Sequence, residues 1–286
     1  MHIGVGLGLL DPARWVDAAL EAERLGFESV WVSEHLVLPV EMTGSPEGPD
    51  RAPPIPSSKP EHDVFGFLAY LAGRTAHVRL GTNVYNIGLR HPFVTARAVA
   101  TLDIVSGGRV ELGVGISWLR EEWDAVGLDF ATRGRRADEA IAVCRRLWSE
   151  PVVEHHGEHF DFRAVMFEPK PRQQPSPPVV VGGRSDAALR RAARIGDGWI
   201  SAQHTPDTIR APLTRLHDLR DEHERADDAR RFEVTANGAV GSADELERWR
   251  ATGIHRLIVS PWSDDDDIFG ALRRVAELGG LEPRPT

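Results

Sequence analysis

Only one cysteine, Cys144, occurs in 286 residues, so no intrachain disulfide can form. Excess basic charge is also missing: 34 Lys and Arg stand against 43 Asp and Glu, a formal charge of −9. Nucleic-acid binding needs a basic stripe to neutralise phosphates, and this balance argues against it. No stretch approaches the ~20 consecutive apolar residues that cross a bilayer. The first residues, Met1-His2-Ile3-Gly4, lack the basic start and apolar run of a secretory signal. A cytoplasmic protein without a membrane partner is therefore expected. A metal motif is missing too: His155, His156 and His159 cluster, but no cysteine or acidic pattern beside them completes one, and their segment reads as a surface hairpin.

What is present is a 41% hydrophobic content, enough to fill a large core, and an alternation of strand and helix patterns along almost the whole chain. Apolar runs at 3–10, 29–33, 78–84, 110–114, 179–181, 198–201, 232–236 and 256–260 read as eight strands. Helical patterns fall at 12–26, 64–75, 92–105, 119–148, 186–195 and 268–278, with further helices between the late strands. In the first, Trp15, Ala18, Ala19, Ala22 and Leu25 form one stripe, Pro12 starts the helix and Gly26 stops it. In the third, Val94, Ala98, Leu102 and Val105 are expected to form the apolar face. Eight parallel strands joined by right-handed crossovers close into an α/β (β/α)8 TIM barrel, expected here as one domain over 1–286. Two segments break the alternation. Residues 36–62 are rich in Pro, Gly and Ser and read as a lid-like loop, and 151–178 reads as an extended or hairpin excursion.

In such a barrel, functional residues follow the C-terminal ends of strands. That rule selects Glu34 and His35, Asn83 to Asn86, Gly115-Ile116-Ser117, Gly182-Gly183-Arg184-Ser185, Ser201, Asn237 and Ser260. The Gly182–Ser185 stretch lies between a strand and a helix. Its glycines allow close backbone approach, Ser185 can cap the helix, and Arg184 adds charge, all suited to a phosphate; the alternative is a tight turn that needs the glycines for geometry only. Gly113 and Gly115 are not a dinucleotide fingerprint, since Trp118 occupies the third glycine position. Cys144 reads as a packed residue, and Asp264 to Asp267 as a solvated run that caps a helix. A metal-dependent barrel hydrolase is disfavoured because the first strand is glycine-rich and carries no paired histidines.

Five segments in order resemble the luciferase-like monooxygenases and their F420-dependent relatives: Trp31-Val32-Ser33-Glu34-His35; Leu80-Gly81-Thr82-Asn83-Val84; His91-Pro92 with Ala100-Thr101-Leu102-Asp103; residues 106–115, Ser-Gly-Gly-Arg-Val-Glu-Leu-Gly-Val-Gly; and Pro178-Val179-Val180-Val181-Gly182-Gly183. The resemblance implies a redox barrel in which His35 gives or takes a proton at the mouth, or simply lines it, and Glu34 is an acidic cofactor contact. It implies a cis peptide at Asn83–Val84 against the cofactor ring, Gly115, Ile116 and Ser117 along the ring and its ribityl chain, and Gly182, Gly183, Arg184 and Ser185 at the phosphate. Relatives that oxidise sugar phosphates carry a glutamate just after the fourth strand. Here that stretch reads Ser117-Trp118-Leu119, a departure from their pattern.

The function so implied is an F420-dependent oxidoreductase moving a hydride between the deazaflavin and a small organic substrate. FMN-dependent monooxygenation is the alternative, since FMN carries the same ring, ribityl chain and phosphate. A non-catalytic deazaflavin carrier is a third reading. A homodimer is implied by the family alone.

Overall fold

The computed structural model describes residues 1–46, 48, 50–223, 232–262 and 267–284. In chain order the elements are β1 (His2–Gly6), α1 (Trp15–Arg24), β2 (Ser29–Val32), α2 (Val64–Ala72), β3 (Arg79–Thr82), β4 (Tyr85–Asn86), α3 (Pro92–Val105), β5 (Val110–Gly115), α4 (Arg120–Ala125), α5 (Arg133–Ser149), β6 (Val152–His156), β7 (Asp161–Met166), β8 (Val179–Gly182), α6 (Asp186–Ile195), β9 (Gly198–Gln203), α7 (Arg210–Glu222), β10 (Glu233–Asn237), α8 (Ala243–Arg250), β11 (Arg256–Val259) and α9 (Ile268–Gly279).

Eight strands pair in parallel in the order β1, β2, β3, β5, β8, β9, β10, β11. The circle closes where β11 returns to β1, with His2 opposite Arg256. The pattern of eight strands and intervening helices is thus a closed α/β barrel. Strand β4 is a two-residue extension beside β5, and β6 and β7 form the separate antiparallel hairpin expected from the sequence.

The strands form because short, largely apolar runs are buried on both faces, as helices outside and packed side chains inside require. Inside, Trp31 packs with Val180, Ile200 and Ile258, and Val84 lies against this cluster from above. Outside, Trp15, Ala18, Ala19 and Ala22 of α1 face the strands as their spacing predicts. Helix α3 corrects the expected face. Val94 and Val105 are 58% and 57% exposed, whereas Thr95, Ala96, Val99, Ala100 and Asp103 turn inward with Leu102. The helical stretch 119–148 is two helices, interrupted at Gly127, whose φ of 72° ends the first. Ser185 caps α6 by accepting from the Ala188 amide, and Asp267 caps α9 by accepting from Phe269. The rest of the acidic run, Asp264 to Asp266, lies outside the described residues.

At the N-terminal end of the barrel, Arg256 donates to Glu28 and Glu111 over 2.7–2.9 Å, and Arg79 donates to Glu111 at 2.5 Å. An open cavity of about 480 Å³ lies there, lined by His2, Glu28, Arg79, Glu111, Asp197 and Arg256 among others. Its two arginines, Arg79 and Arg256, are paired with Glu28 and Glu111, as suits the end of a barrel that provides stability. No helix among the described residues is long and apolar enough to cross a membrane.

Candidate active site

The C-terminal ends of the barrel strands bring the residues selected from sequence to one mouth in three groups.

The first group surrounds the end of β2. Glu34 is buried; Arg90 donates to both of its oxygens at 3.0 Å, and the Asn86 amide reaches Oε1 at the same distance. Burial works against the charge of Arg90, but the hydrogen bonds and charge of Glu34 outweigh it and raise the guanidinium pKa. The Arg90 guanidinium also lies over the Tyr85 ring, 4.7 Å from its centroid. His35 follows on the loop, its side chain 12% exposed, with Nδ1 3.2 Å from Glu122 Oε2 and its ring edge-on to Trp118.

The second group is the barrel rim. The Asn83–Val84 peptide is cis. Asn83 Nδ2 donates to Asn237 Oδ1 at 2.8 Å, and Asn237 donates in turn to the Ser201 carbonyl at 2.5 Å. Val84 fills a slot that exists only because β5 and β8 end in glycine. A Cβ on Gly115 would lie 2.5 Å from one Val84 methyl, and a Cβ on Gly182 would lie 2.6 Å from the other. Ile116 packs against the barrel core. Ser117 holds a φ of 65°, a left-handed conformation uncommon for a residue other than glycine. Its hydroxyl accepts from the Leu119 amide and donates to Glu122 Oε2, both at 3.2 Å.

The third group is the turn from β8 into α6. Gly183 has a φ of 128°, and its carbonyl accepts from the Trp199 indole at 2.8 Å. The first amides of α6 point out of the helix end without helical acceptors, which favours an anion there. Among the described residues Arg184 meets no carboxylate, and Asp186 is bound by Arg190 and Arg215. Nearby His204 has its pKa lowered, first by burial and then by the charge of Arg184.

Two participants escaped the sequence reading. Arg90 follows a 3-10 turn, and Glu122 lies inside α4, so neither occupies a strand end. The histidine cluster is engaged with nearby acids: His155 with Glu139 of α5, and His156 with Glu154 and Asp161 of the hairpin. Cys144 is buried, and burial pushes its thiol pKa up. In the 36–62 loop, Thr43 is tied to Glu121 through its amide, at 3.1 Å, and its hydroxyl.

The family model of the luciferase-like monooxygenases matches residues 3–272. The chain belongs to this family. An uncharacterized protein of Mycobacterium tuberculosis is 32% identical over 261 residues, 91% of this chain and 88% of that one. An F420-dependent glucose-6-phosphate dehydrogenase of Kineococcus radiotolerans is 34% identical over 193 residues, 66% of this chain and 52% of that one. An FMNH2-dependent dimethylsulfone monooxygenase of Pseudomonas putida is 29% identical over 195 residues, 67% and 52%. Among solved structures, an F420-dependent secondary alcohol dehydrogenase superposes with a TM-score of 0.79 at 18% identity, over 97% of both chains. The monooxygenase RslO1 of Streptomyces bottropensis does so with 0.76 at 22%, over 97% of this chain and 98% of that one. This luciferase-like protein is therefore an enzyme of a class that holds both F420-dependent oxidoreductases and flavin-dependent monooxygenases.

Proposed function

We propose that the protein is an F420-dependent oxidoreductase that moves a hydride between the deazaflavin and a small organic substrate. The observation that carries this reading is the setting of His35, a partly buried imidazole anchored through Nδ1 at the mouth. Hydride transfer to or from an organic substrate leaves a proton to be given or taken, and imidazole exchanges protons near neutral pH.

The residues present fit a planar ring with a phosphate tail. Val84 closes the slot between Gly115 and Gly182 and offers an apolar face, while the turn from Gly182 to Ser185 offers helix-end amides and Arg184, which meets no carboxylate among the described residues. F420, when bound, supplies a two-electron carrier suited to hydride transfer. In this reading Asn83 and Val84 back the ring, Gly115, Ile116 and Ser117 line it and the ribityl chain, and Gly182, Gly183, Arg184 and Ser185 hold the phosphate. Glu34 acts from behind, by holding the Asn86 backbone. The 36–62 loop covers the substrate and excludes water. Ser117-Trp118 stands where sugar-phosphate-oxidising relatives carry a glutamate, so the substrate of the Kineococcus relative is not extended to this enzyme.

Paired fluorescence titrations of the purified protein with F420 and with FMN test the cofactor. Tight F420 binding with weak FMN binding supports the reading, and the reverse preference turns it to an FMN monooxygenase. A His35→Ala variant that binds F420 and loses turnover marks the protein as a catalyst; one that keeps full function marks it as a carrier. The exposed apolar side chains Tyr70, Val94, Ile104 and Val105 on α2 and α3 are the face we assign to a second copy of the chain. Light scattering on a Val94→Asp variant should then report a monomer where the wild type reports a dimer.

A further inference from the structure

We propose that Glu122 is the positioning residue of this site, fixing the proton of the neutral His35 ring on Nδ1 and leaving Nε2 to exchange a proton with substrate. The proposal rests on the reading of His35 as the proton-exchanging group.

Glu122 lies in the first turn of α4 and its side chain is 0% exposed. A buried carboxylate needs partners for its oxygens, and three converge on it. The Leu36 amide reaches Oε1 at 2.6 Å, and the Ser117 hydroxyl and His35 Nδ1 each reach Oε2 at 3.2 Å. The Leu36 amide can only donate. The Ser117 oxygen already accepts from the Leu119 amide, so its own hydrogen goes to Glu122. A carboxylate that receives these donors acts as an acceptor, and the bond to His35 then requires the hydrogen on Nδ1. Among the described residues no hydrogen bond reaches Nε2.

The neighbouring residue extends the arrangement. Residues next to each other on a helix point about 100° apart, and Glu121 reaches outward to Thr43 while Glu122 reaches inward. Helix α4 therefore holds the 36–62 loop at Leu36 and at Thr43 and orients the imidazole from the same turn. Adjacent acids at a helix start are also favoured by the dipole of the helix.

Glu122→Gln makes the test sharp because the Leu36 amide selects the orientation of the new side chain. It keeps the amide oxygen at the Oε1 position, so the NH2 takes the Oε2 position and presents a donor to His35. The neutral ring should then switch, with Nδ1 accepting and the hydrogen on Nε2. Long-range 1H–15N spectra of the full-length protein labelled at histidine, recorded where the rings are neutral, read this directly. Expected is an Nδ1–H ring in the wild type and an Nε2–H ring in Glu122→Gln. Turnover should fall about 100-fold or more while the Kd for F420 stays within about twofold, since general acid–base catalysis contributes that much and a wrong tautomer forfeits it. A His35→Asn variant, whose Nδ2 can still donate to Glu122, should keep the melting temperature and lose turnover.

A wild-type neutral ring with its hydrogen on Nε2 overturns the proposal, as does a Glu122→Gln variant with an unchanged tautomer and full kcat. If Glu122→Gln fails to fold, the wild-type spectrum alone decides. If F420 neither binds nor turns over, the cofactor reading fails while the tautomer result stands by itself.

Discussion

The guanidinium of Arg90 meets the buried carboxylate of Glu34 end-on, Nη1 to Oε1 and Nη2 to Oε2, each at 3.0 Å. Because Glu34 also binds the Asn86 amide, the pair pins the chain just after the Asn83–Val84 peptide. With its oxygens engaged in this way, Glu34 would, on the proposed reading, act on a cofactor through the position of that loop. Arg90→Met would leave a carboxylate without its cation in a place only 3% exposed. Removing one partner of such a pair costs about 3–5 kcal/mol, to be read from urea unfolding. The double variant Arg90→Met/Glu34→Gln should recover part of that loss. A Glu34→Gln variant that unfolds like the wild type yet no longer binds cofactor would instead make Glu34 a direct contact.

Val84 and the two glycines beside it give a second expectation. Valine is stiff about χ1, and its two methyls point one at Gly115 and one at Gly182, so no rotamer relieves a new methyl on either side. Gly182→Ala should destabilise the protein by roughly 1–3 kcal/mol through overpacking and weaken cofactor binding by displacing Val84. Adding Val84→Ala removes the clash, and the double variant should melt closer to the wild type than Gly182→Ala does. Calorimetry of the three variants checks this; a Gly182→Ala protein with an unchanged melting temperature would mean that the slot is loose.

Much of this architecture was legible because the barrel repeats one simple pattern. The eight apolar runs all became barrel strands, and the stripe on α1 faced inward, because in each case the apolar residues left only one solution. Helix α3 misled because it is apolar on nearly every side, so periodicity could not choose a face. The core in fact takes in Thr95 and Asp103, the latter paid for by two hydrogen bonds from Gln173 on a distant loop. The strand-end rule found His35, Asn83, Gly115 and Gly182. It could not find Arg90 or Glu122, whose places are defined only by the tertiary partners they meet.

The floor of the barrel should behave differently from its mouth. Arg256 is held charged: burial opposes the charge, but bonds to Glu28 and the nearby Glu111 outweigh it. Arg256→Met leaves Glu28 without its cation beside Glu111, which keeps Arg79, and should cost about 3–5 kcal/mol. Its chemistry lies at the opposite end from the candidate site, so Kd for the cofactor and kcat should stay at wild-type values below the melting temperature. A variant that folds stably but loses turnover would show the two ends of the barrel to be coupled.

Glu23 supplies the clearest dependence on pH. Its carboxylate accepts the three successive amides of Ala76, His77 and Val78, at 2.8, 2.9 and 3.0 Å, where the chain enters β3. Burial opposes its ionisation, but the three amide bonds outweigh burial and hold the pKa below the ordinary glutamate value. A pKa depressed by folding means that the folded state binds the proton less readily than the unfolded state. The stabilisation is therefore complete above the unfolded value near ~4.3 and disappears as pH falls through the folded one. Glu23→Gln substitutes an NH2 for one accepting oxygen and removes that contribution at every pH. The gap in urea midpoint between wild type and Glu23→Gln should hold steady from about pH 7 to 5 and narrow as the pH drops below about 4. A gap that stays constant down to the acid limit would show that the ionised carboxylate is not what the three amides recognise.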